Sequence, residues 1–248
     1  YKVSADINDV RTKKVYLTTD FQLDVQCIWE EIGERTKIIF ICSPNNPTGN
    51  SLRREAILKI AKTFRGIVVV DEAYIHFSRE KSCVSEIKNF PNLVVLQTFS
   101  KAWGLAGLRV GLAFADEKII SLFNKVKPPY NISQIAQYTI LRALKNKSQV
   151  DETIVKIIAE REKLIEKLRA FSFVEKVYPT DANFVLVKTT EANSTYKFLL
   201  DEKIVVRNRS NVELCAGCLR ITIGTAAENE ALINSLKKLA AKSAANNL

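Results

Sequence analysis

Three unbroken apolar runs, Ile38-Ile39-Phe40-Ile41, Ile67-Val68-Val69-Val70 and Leu93-Val94-Val95-Leu96, constrain the fold of this chain more than any other feature. A strand with one wet face alternates apolar and polar residues, whereas a strand apolar at every position is covered on both faces. These runs predict strands over residues 37–42, 67–70 and 93–98, with a fourth over 108–113. Between the first two, Ile57, Ile60 and Ala61 recur at helical spacing, so a helix is expected over 52–64, capped by Ser51 and ended by Gly66. Buried strands alternating with helices predict an α/β fold: a mostly parallel sheet with helices on both faces.

In such sheets ligands bind just beyond the carboxyl ends of the strands. There the chain places its chemistry. The first strand leads to Asn46-Pro47-Thr48-Gly49, the second to Asp71-Glu72-Ala73-Tyr74. The third leads to Ser100-Lys101-Ala102-Trp103-Gly104-Leu105-Ala106-Gly107-Leu108-Arg109. An unprotonated lysine amine forms a Schiff base with an aldehyde. Serine and arginine bind phosphate, the arginine through a planar fork of donors. An aspartate just past a buried strand can hold a pyridinium nitrogen in its protonated form. Tyr74 and the amide of Asn46 can reach a phenolic oxygen.

Further along, helices are expected over 133–145 and 152–170, the second carrying Ile154, Ile157, Ile158, Leu164, Ile165 and Leu168 as one stripe. Short strands at 174–178, 184–187, 204–206 and 219–223 then alternate with helices at 194–201 and 226–241, the last opened by a Thr225/Glu228 capping box. This predicts a larger domain over 1–149 and a smaller α+β domain over 150–248, joined by the long helix. Residues 241–248 are small and polar and are expected to fray.

The three segments past the strands, in this order and spacing, resemble the pyridoxal-phosphate-dependent aminotransferases of fold type I, and within them the histidinol-phosphate aminotransferase branch. The resemblance implies that Lys101 is the Schiff-base lysine and the catalytic residue. It implies Asp71 as the pyridinium partner, Asn46 and Tyr74 as donors to the phenolic oxygen, and Thr98, Ser100 and Arg109 as part of the phosphate cradle. Leu219-Arg220-Ile221-Thr222-Ile223-Gly224-Thr225 resembles the segment with the family's substrate-binding arginine, Arg220. Arg207 resembles the second arginine of the histidinol-phosphate branch, and Asn183 in Asp181-Ala182-Asn183-Phe184 is a supporting contact. The implied cofactor is pyridoxal 5′-phosphate and the implied reaction an amino transfer between L-histidinol phosphate and 2-oxoglutarate, in a cytoplasmic homodimer. Threonine-phosphate decarboxylases and aromatic aminotransferases share the lysine, aspartate and arginine, so those residues leave both alternatives open, together with an inactive module of the same fold. Family members carry a further N-terminal portion, with a glycine- and serine-rich phosphate loop and an aromatic residue on the pyridine ring. The expectation is therefore that this chain is part of a longer protein.

Composition narrows the function classes. A net charge of +10 raises nucleic acid as a partner, but the basic residues are interleaved with glutamates, as in Glu160-Arg161-Glu162-Lys163, which reads as a solvated helix face. A positive field instead favours anionic, phosphorylated ligands. No apolar run has the length of a membrane span, and the first residues carry no signal-peptide pattern. Five cysteines make no disulfide framework, and Cys215-Ala216-Gly217-Cys218, with His76 as the single histidine, lacks the second ligand pair of a zinc site. It reads as a turn. The lone histidine also disfavours a serine-hydrolase triad.

Overall fold

The computed structural model describes residues 1–245. Its first sheet has the order β1-β2-β3-β4, from β1 (Ile38–Cys42), β2 (Ile67–Asp71), β3 (Leu93–Thr98) and β4 (Gly111–Ala115). The first three strands run parallel, and β4 is antiparallel to β3, pairing Thr98 with Gly111. The apolar runs thus form strands within a residue of expectation. The fourth differs: residues 108–113 do not make one strand, because Ala106–Leu108 turn as a 3-10 helix and Arg109 takes a left-handed φ of 57° before β4 starts.

Helices α1 (Lys2–Ile7) and α2 (Val25–Glu31) come before this sheet in the chain, and α3 (Arg54–Thr63) crosses from β1 to β2. α3 buries Ile57, Ile60 and Ala61 against Val68, Val70, Leu93 and Val95, and each large side chain so buried contributes about 1.5–3 kcal/mol. Ser51 does not cap α3. The helix starts after Arg53, and the Ser51 hydroxyl instead pairs with that of Ser78 at 2.9 Å.

After β4 come α4 (Glu117–Val126), α5 (Gln134–Lys145) and α6 (Lys147–Arg169), the last beginning five residues earlier than its apolar stripe implied. A second sheet follows in the order β5-β6-β8-β7, wholly antiparallel, with β5 (Val174–Val177), β6 (Phe184–Thr189), β7 (Arg207–Asn208) and β8 (Cys218–Thr222). Residues 204–206 do not form the expected strand. Ile204 and Val206 belong to the apolar core, and the ladder is made by the next two residues. One sheet face, with Val185, Val187, Leu219 and Ile221, packs on α6, α7 (Ala192–Asp201) and α8 (Ala226–Ala245) through Leu164, Leu168, Leu199, Leu232 and Leu236. The capping box opens α8 as expected: Thr225 N–H donates to Glu228 Oε2 at 2.7 Å, and Glu228 N–H donates to Thr225 Oγ1 at 3.3 Å. That helix continues through Ala245 instead of fraying from 241, and the rest of the expected frayed end, 246–248, lies outside the described residues.

Arg161 corrects the reading of its segment as a solvated face. It is 1% exposed, and its Nη1 donates to the carbonyls of Phe77 and Ala182, both at 3.1 Å. One guanidinium thereby pins the segment after β2 to the entry of β6. No described helix is long and apolar enough to cross a membrane.

Candidate active site

The carboxyl ends of β1, β2 and β3 lie side by side, with Cys42 opposite Asp71 and Asp71 opposite Leu96. Asp71 Oδ1 accepts from Ala73 N–H at 3.0 Å, which fixes the carboxylate at the turn after β2. Its Oδ2 accepts from the hydroxyl of Tyr1, whose ring stacks on Phe40 with centroids 4.2 Å apart. Burial, and then the bond to Asp71, raise the Tyr1 pKa well above the usual phenol range. Beside it, burial first and the Asp71 charge second push the Cys42 thiol up to about 11. Asp71 thus already holds a donor carried on an aromatic ring.

Glu72 next to it serves the scaffold. It is 1% exposed and accepts from Ser82 Oγ at 2.6 Å, Cys83 N–H at 2.6 Å and Gln97 Nε2 at 3.0 Å. Three donors satisfy a buried carboxylate, as burial of a charge demands. Gln97 is on β3, so this network braces the two strand ends that deliver Asp71 and Lys101.

Tyr74 is buried and packs edge-on against Phe184 of β6, with centroids 5.1 Å apart. The Lys101 amine stands 5.2 Å from the centroid of the Tyr74 ring. Lys101 is exposed and has no carboxylate partner among the described residues. The Thr98 hydroxyl accepts from Ser100 N–H at 3.0 Å and donates to Val110 O at 3.4 Å, shaping the loop that presents Ser100 and Lys101. Arg109 is exposed, and its Nη1 donates to Ala106 O at 3.1 Å.

The loop holding Asn46 is closed by Gly49 N–H on Asn45 O at 2.8 Å and by Asn45 N–H on Asn50 O at 2.9 Å. Gly49 has a φ of +86°, and a Cβ there would lie 2.3 Å from Thr180 Oγ1, so only glycine fits. Its carbonyl accepts from Asp181 N–H at 2.7 Å, joining the loop to the approach to β6. Across this junction Asn46 Oδ1 accepts from Arg220 Nη1 at 2.7 Å.

Arg220 also lies over the Phe184 ring at 4.8 Å. Its Nε is buried without a partner. Burial chiefly, then the charge of Arg209, lower its pKa. Arg207 is exposed and is the register partner of Arg220 across the β7–β8 ladder. Asn183 contributes its backbone carbonyl, which accepts from Ile223 N–H at 2.9 Å.

The structure therefore gathers Asn46, Asp71, Tyr74, Lys101 and Arg220 around the strand ends, with Thr98 at the end of β3 and Ser100 and Arg109 on the loop after it. Sequence reasoning missed Glu72 and Arg161 as supports. It also missed Arg209, the charged side chain that acts most strongly on Arg220. A cleft of about 410 Å³ beside Ala102, Trp103, Gly104 and Arg142 is lined by none of the predicted site residues.

With this geometry in place, the relationships to known proteins are informative. Residues 1–236 match the family model for aminotransferase class I and II. The chain is 50% identical to the histidinol-phosphate aminotransferase of Flavobacterium johnsoniae over 239 residues, which covers 96% of this chain and 68% of that protein. It is equally 50% identical to the enzyme of that name from Parabacteroides distasonis, covering 96% of this chain and 69% of the relative. The crystal structure of the histidinol-phosphate aminotransferase from Clostridium acetobutylicum superposes with a TM-score of 0.91 at 27% identity, over 100% of this chain and 75% of the other. By these matches, and by a mostly parallel sheet that carries its polar residues at the strand ends, the chain belongs to the class I and II aminotransferase family.

Proposed function

We propose that the chain is a histidinol-phosphate aminotransferase, a pyridoxal-phosphate-dependent transaminase of histidine biosynthesis that moves an amino group between L-histidinol phosphate and 2-oxoglutarate. One observation carries the substrate reading: Arg207 and Arg220 face each other in register on β7 and β8, and Arg220 reaches Asn46 at the strand ends. Two guanidinium forks on one sheet face match a phosphate ester better than a carboxylate alone requires. Identity to enzymes of that name supports the same reading.

The residues present fit pyridoxal phosphate. Asp71 Oδ2 is open to a donor and accepts from the Tyr1 hydroxyl, and a carboxylate oxygen so presented is the acceptor a pyridinium N–H would need. Lys101 is without a carboxylate partner among the described residues, and Arg220 keeps a buried, unpartnered Nε. When bound, the cofactor supplies an aldehyde that condenses with amines and a ring that takes up the electron pair released at the substrate α-carbon.

The chain's own residues then have separable tasks. Lys101 Nζ would hold the cofactor, and its amine is the group placed to move the proton at the substrate α-carbon. Asp71 keeps the ring nitrogen protonated. Asn46 spends its carbonyl oxygen on Arg220, so its Nδ2 remains a donor for the phenolic oxygen, alongside the Tyr74 hydroxyl. Thr98, Ser100 and Arg109 hold the cofactor phosphate. Arg220 and Arg207 grip the substrate's anionic group, and Asn183 lines the same approach. The larger unit spans 1–149 and the smaller 150–248, and the site lies between them. The enzyme is cytoplasmic and a homodimer in this reading. The exposed apolar side chains of α4 and α5, Leu122, Phe123, Ile135, Tyr138 and Leu141 among them, support a partner surface.

The test is an assay of the complete protein with histidinol phosphate, threonine phosphate and aromatic amino acids as amino donors to 2-oxoglutarate. Histidinol phosphate is expected to have the highest kcat/KM. A higher value for an aromatic amino acid, or carbon dioxide release from threonine phosphate without amino transfer, would overturn the assignment.

A further inference from the structure

We propose that Arg209 is a third guanidinium of the substrate's anion site and biases that site toward a phosphate dianion over a carboxylate; the proposal rests on the substrate reading above. Three independent observations support it.

The first is placement. Arg207 pairs with Arg220, and the ladder continues past β7 with Arg209 N–H donating to Cys218 O at 2.8 Å. Side chains on a strand alternate between faces, so Arg209 shares the face of Arg207 and Arg220. Asn208, between them, takes the opposite face and donates to Asn193 Oδ1 on α7 at 2.7 Å. In agreement with this, Arg209 perturbs Arg220 more strongly than Arg207 does.

The second is missing counter-charge. None of the ion pairs among the described residues includes Arg207, Arg209 or Arg220. Other arginines of the chain find carboxylates, as Arg54 does with Glu86 at 2.8 Å. Three guanidinium groups on one sheet face repel one another until an anion joins them.

The third is missing acceptors. Arg209 Nε and Arg220 Nε are both buried without a hydrogen-bond partner. Buried donors of this kind are normally satisfied. A phosphate ester brings three terminal oxygens and two charges. A carboxylate brings two oxygens and one charge, which two forks already saturate. The third fork is therefore redundant for glutamate and useful for a phosphorylated amine.

The experiment uses the complete holoenzyme as wild type, Arg209→Gln and Arg209→Lys. Steady-state kinetics give kcat/KM for histidinol phosphate and for glutamate, and the inhibition constant of inorganic phosphate against histidinol phosphate. Arg209→Gln is expected to lower kcat/KM for histidinol phosphate and to weaken phosphate inhibition by about tenfold each, with less than about a threefold loss for glutamate. Arg209→Lys, which keeps the charge but not the fork, falls between. Equal losses for both substrates, or unchanged phosphate inhibition, overturn the proposal. If Arg209→Gln does not fold, Arg209→Lys decides alone: selective weakening toward phosphate supports the third fork, and wild-type behaviour refutes it. If the wild type does not turn over histidinol phosphate, the substrate reading fails. The anion site is then judged by the rise in Tm with inorganic phosphate, which must be smaller in Arg209→Gln than in wild type for the third arginine to stand.

Discussion

Asn46 Oδ1 accepts a 2.7 Å hydrogen bond from Arg220 Nη1 across 174 residues of chain, so one amide links the loop after β1 to β8. In the proposed function Asn46 is a joint between the cofactor end and the substrate end of the site. Replacing it with alanine removes the acceptor that holds Arg220 and, with it, the proposed donor to the phenolic oxygen. Asn46→Ala is expected to raise KM for glutamate and for histidinol phosphate by roughly tenfold, equivalent to about 1.4 kcal/mol. In a double-mutant cycle with Arg220→Lys the two losses should be less than additive, because the residues share one bond. Strict additivity in kcat/KM would show that the bond does not serve catalysis.

Lys101 stands exposed near the start of the loop after β3, without a carboxylate partner among the described residues. If its amine is both the covalent anchor and the α-proton base, no neighbouring group replaces it. Lys101→Ala is expected to lose at least about a thousandfold in kcat. Hydride trapping is expected to leave a mass adduct on the native polypeptide and none on the variant. Near-native turnover in Lys101→Ala would sink the mechanism.

Much of this site was legible because continuous apolar runs have few alternatives. Val68, Val70, Leu93 and Val95 form a shared core, and the polar residues just past them fall at adjacent strand ends. Direction was not legible. An apolar run reads the same forwards and backwards, so the antiparallel setting of β4 appears only with the turn at Ala106–Leu108 and the left-handed Arg109. Ser51 has the chemistry of a cap, but its hydroxyl is taken by Ser78. Arg161 looked solvated because its carbonyl partners lie 84 and 21 residues away. Arg209 was hidden for a similar reason, since its significance comes from the register of β7 on β8.

Gly49 tests the junction between the Asn46 loop and the approach to β6. A Cβ at this position meets Thr180 Oγ1 at 2.3 Å and Thr180 Cβ at 2.9 Å, and the φ of +86° is strained for any other residue. Gly49→Ala should therefore destabilise by about 1–3 kcal/mol, which lowers Tm by roughly 2–4 °C per kcal/mol in a chain of this size. Displacement of the loop should also weaken the Asn46–Arg220 bond, so KM for both substrates should rise along with the loss in Tm. A melting temperature matching the wild type would mean that the loop gives way without cost.

His76, the single histidine, gives a clean pH readout. It lies beside Trp103 with ring centroids 6.3 Å apart. Burial chiefly, then the charge of Lys147, hold its pKa below the ordinary 6.5, with Asp151 opposing. The native state therefore resists protonation of this ring while the unfolded chain accepts it. Between the unfolded value and the lower folded one, the unfolded state binds more protons, so stability rises with pH there and falls as the solution is acidified below about 6.5. Denaturant midpoints measured from pH 7.5 down to 5 should decline, and the decline should be shallower in His76→Gln, where the titrating ring is gone. The imidazole proton resonance of the native protein should titrate at lower pH than that of the denatured chain. If it titrates at or above the denatured value, burial does not govern this histidine, and the acid-side loss of stability must come from the carboxylates.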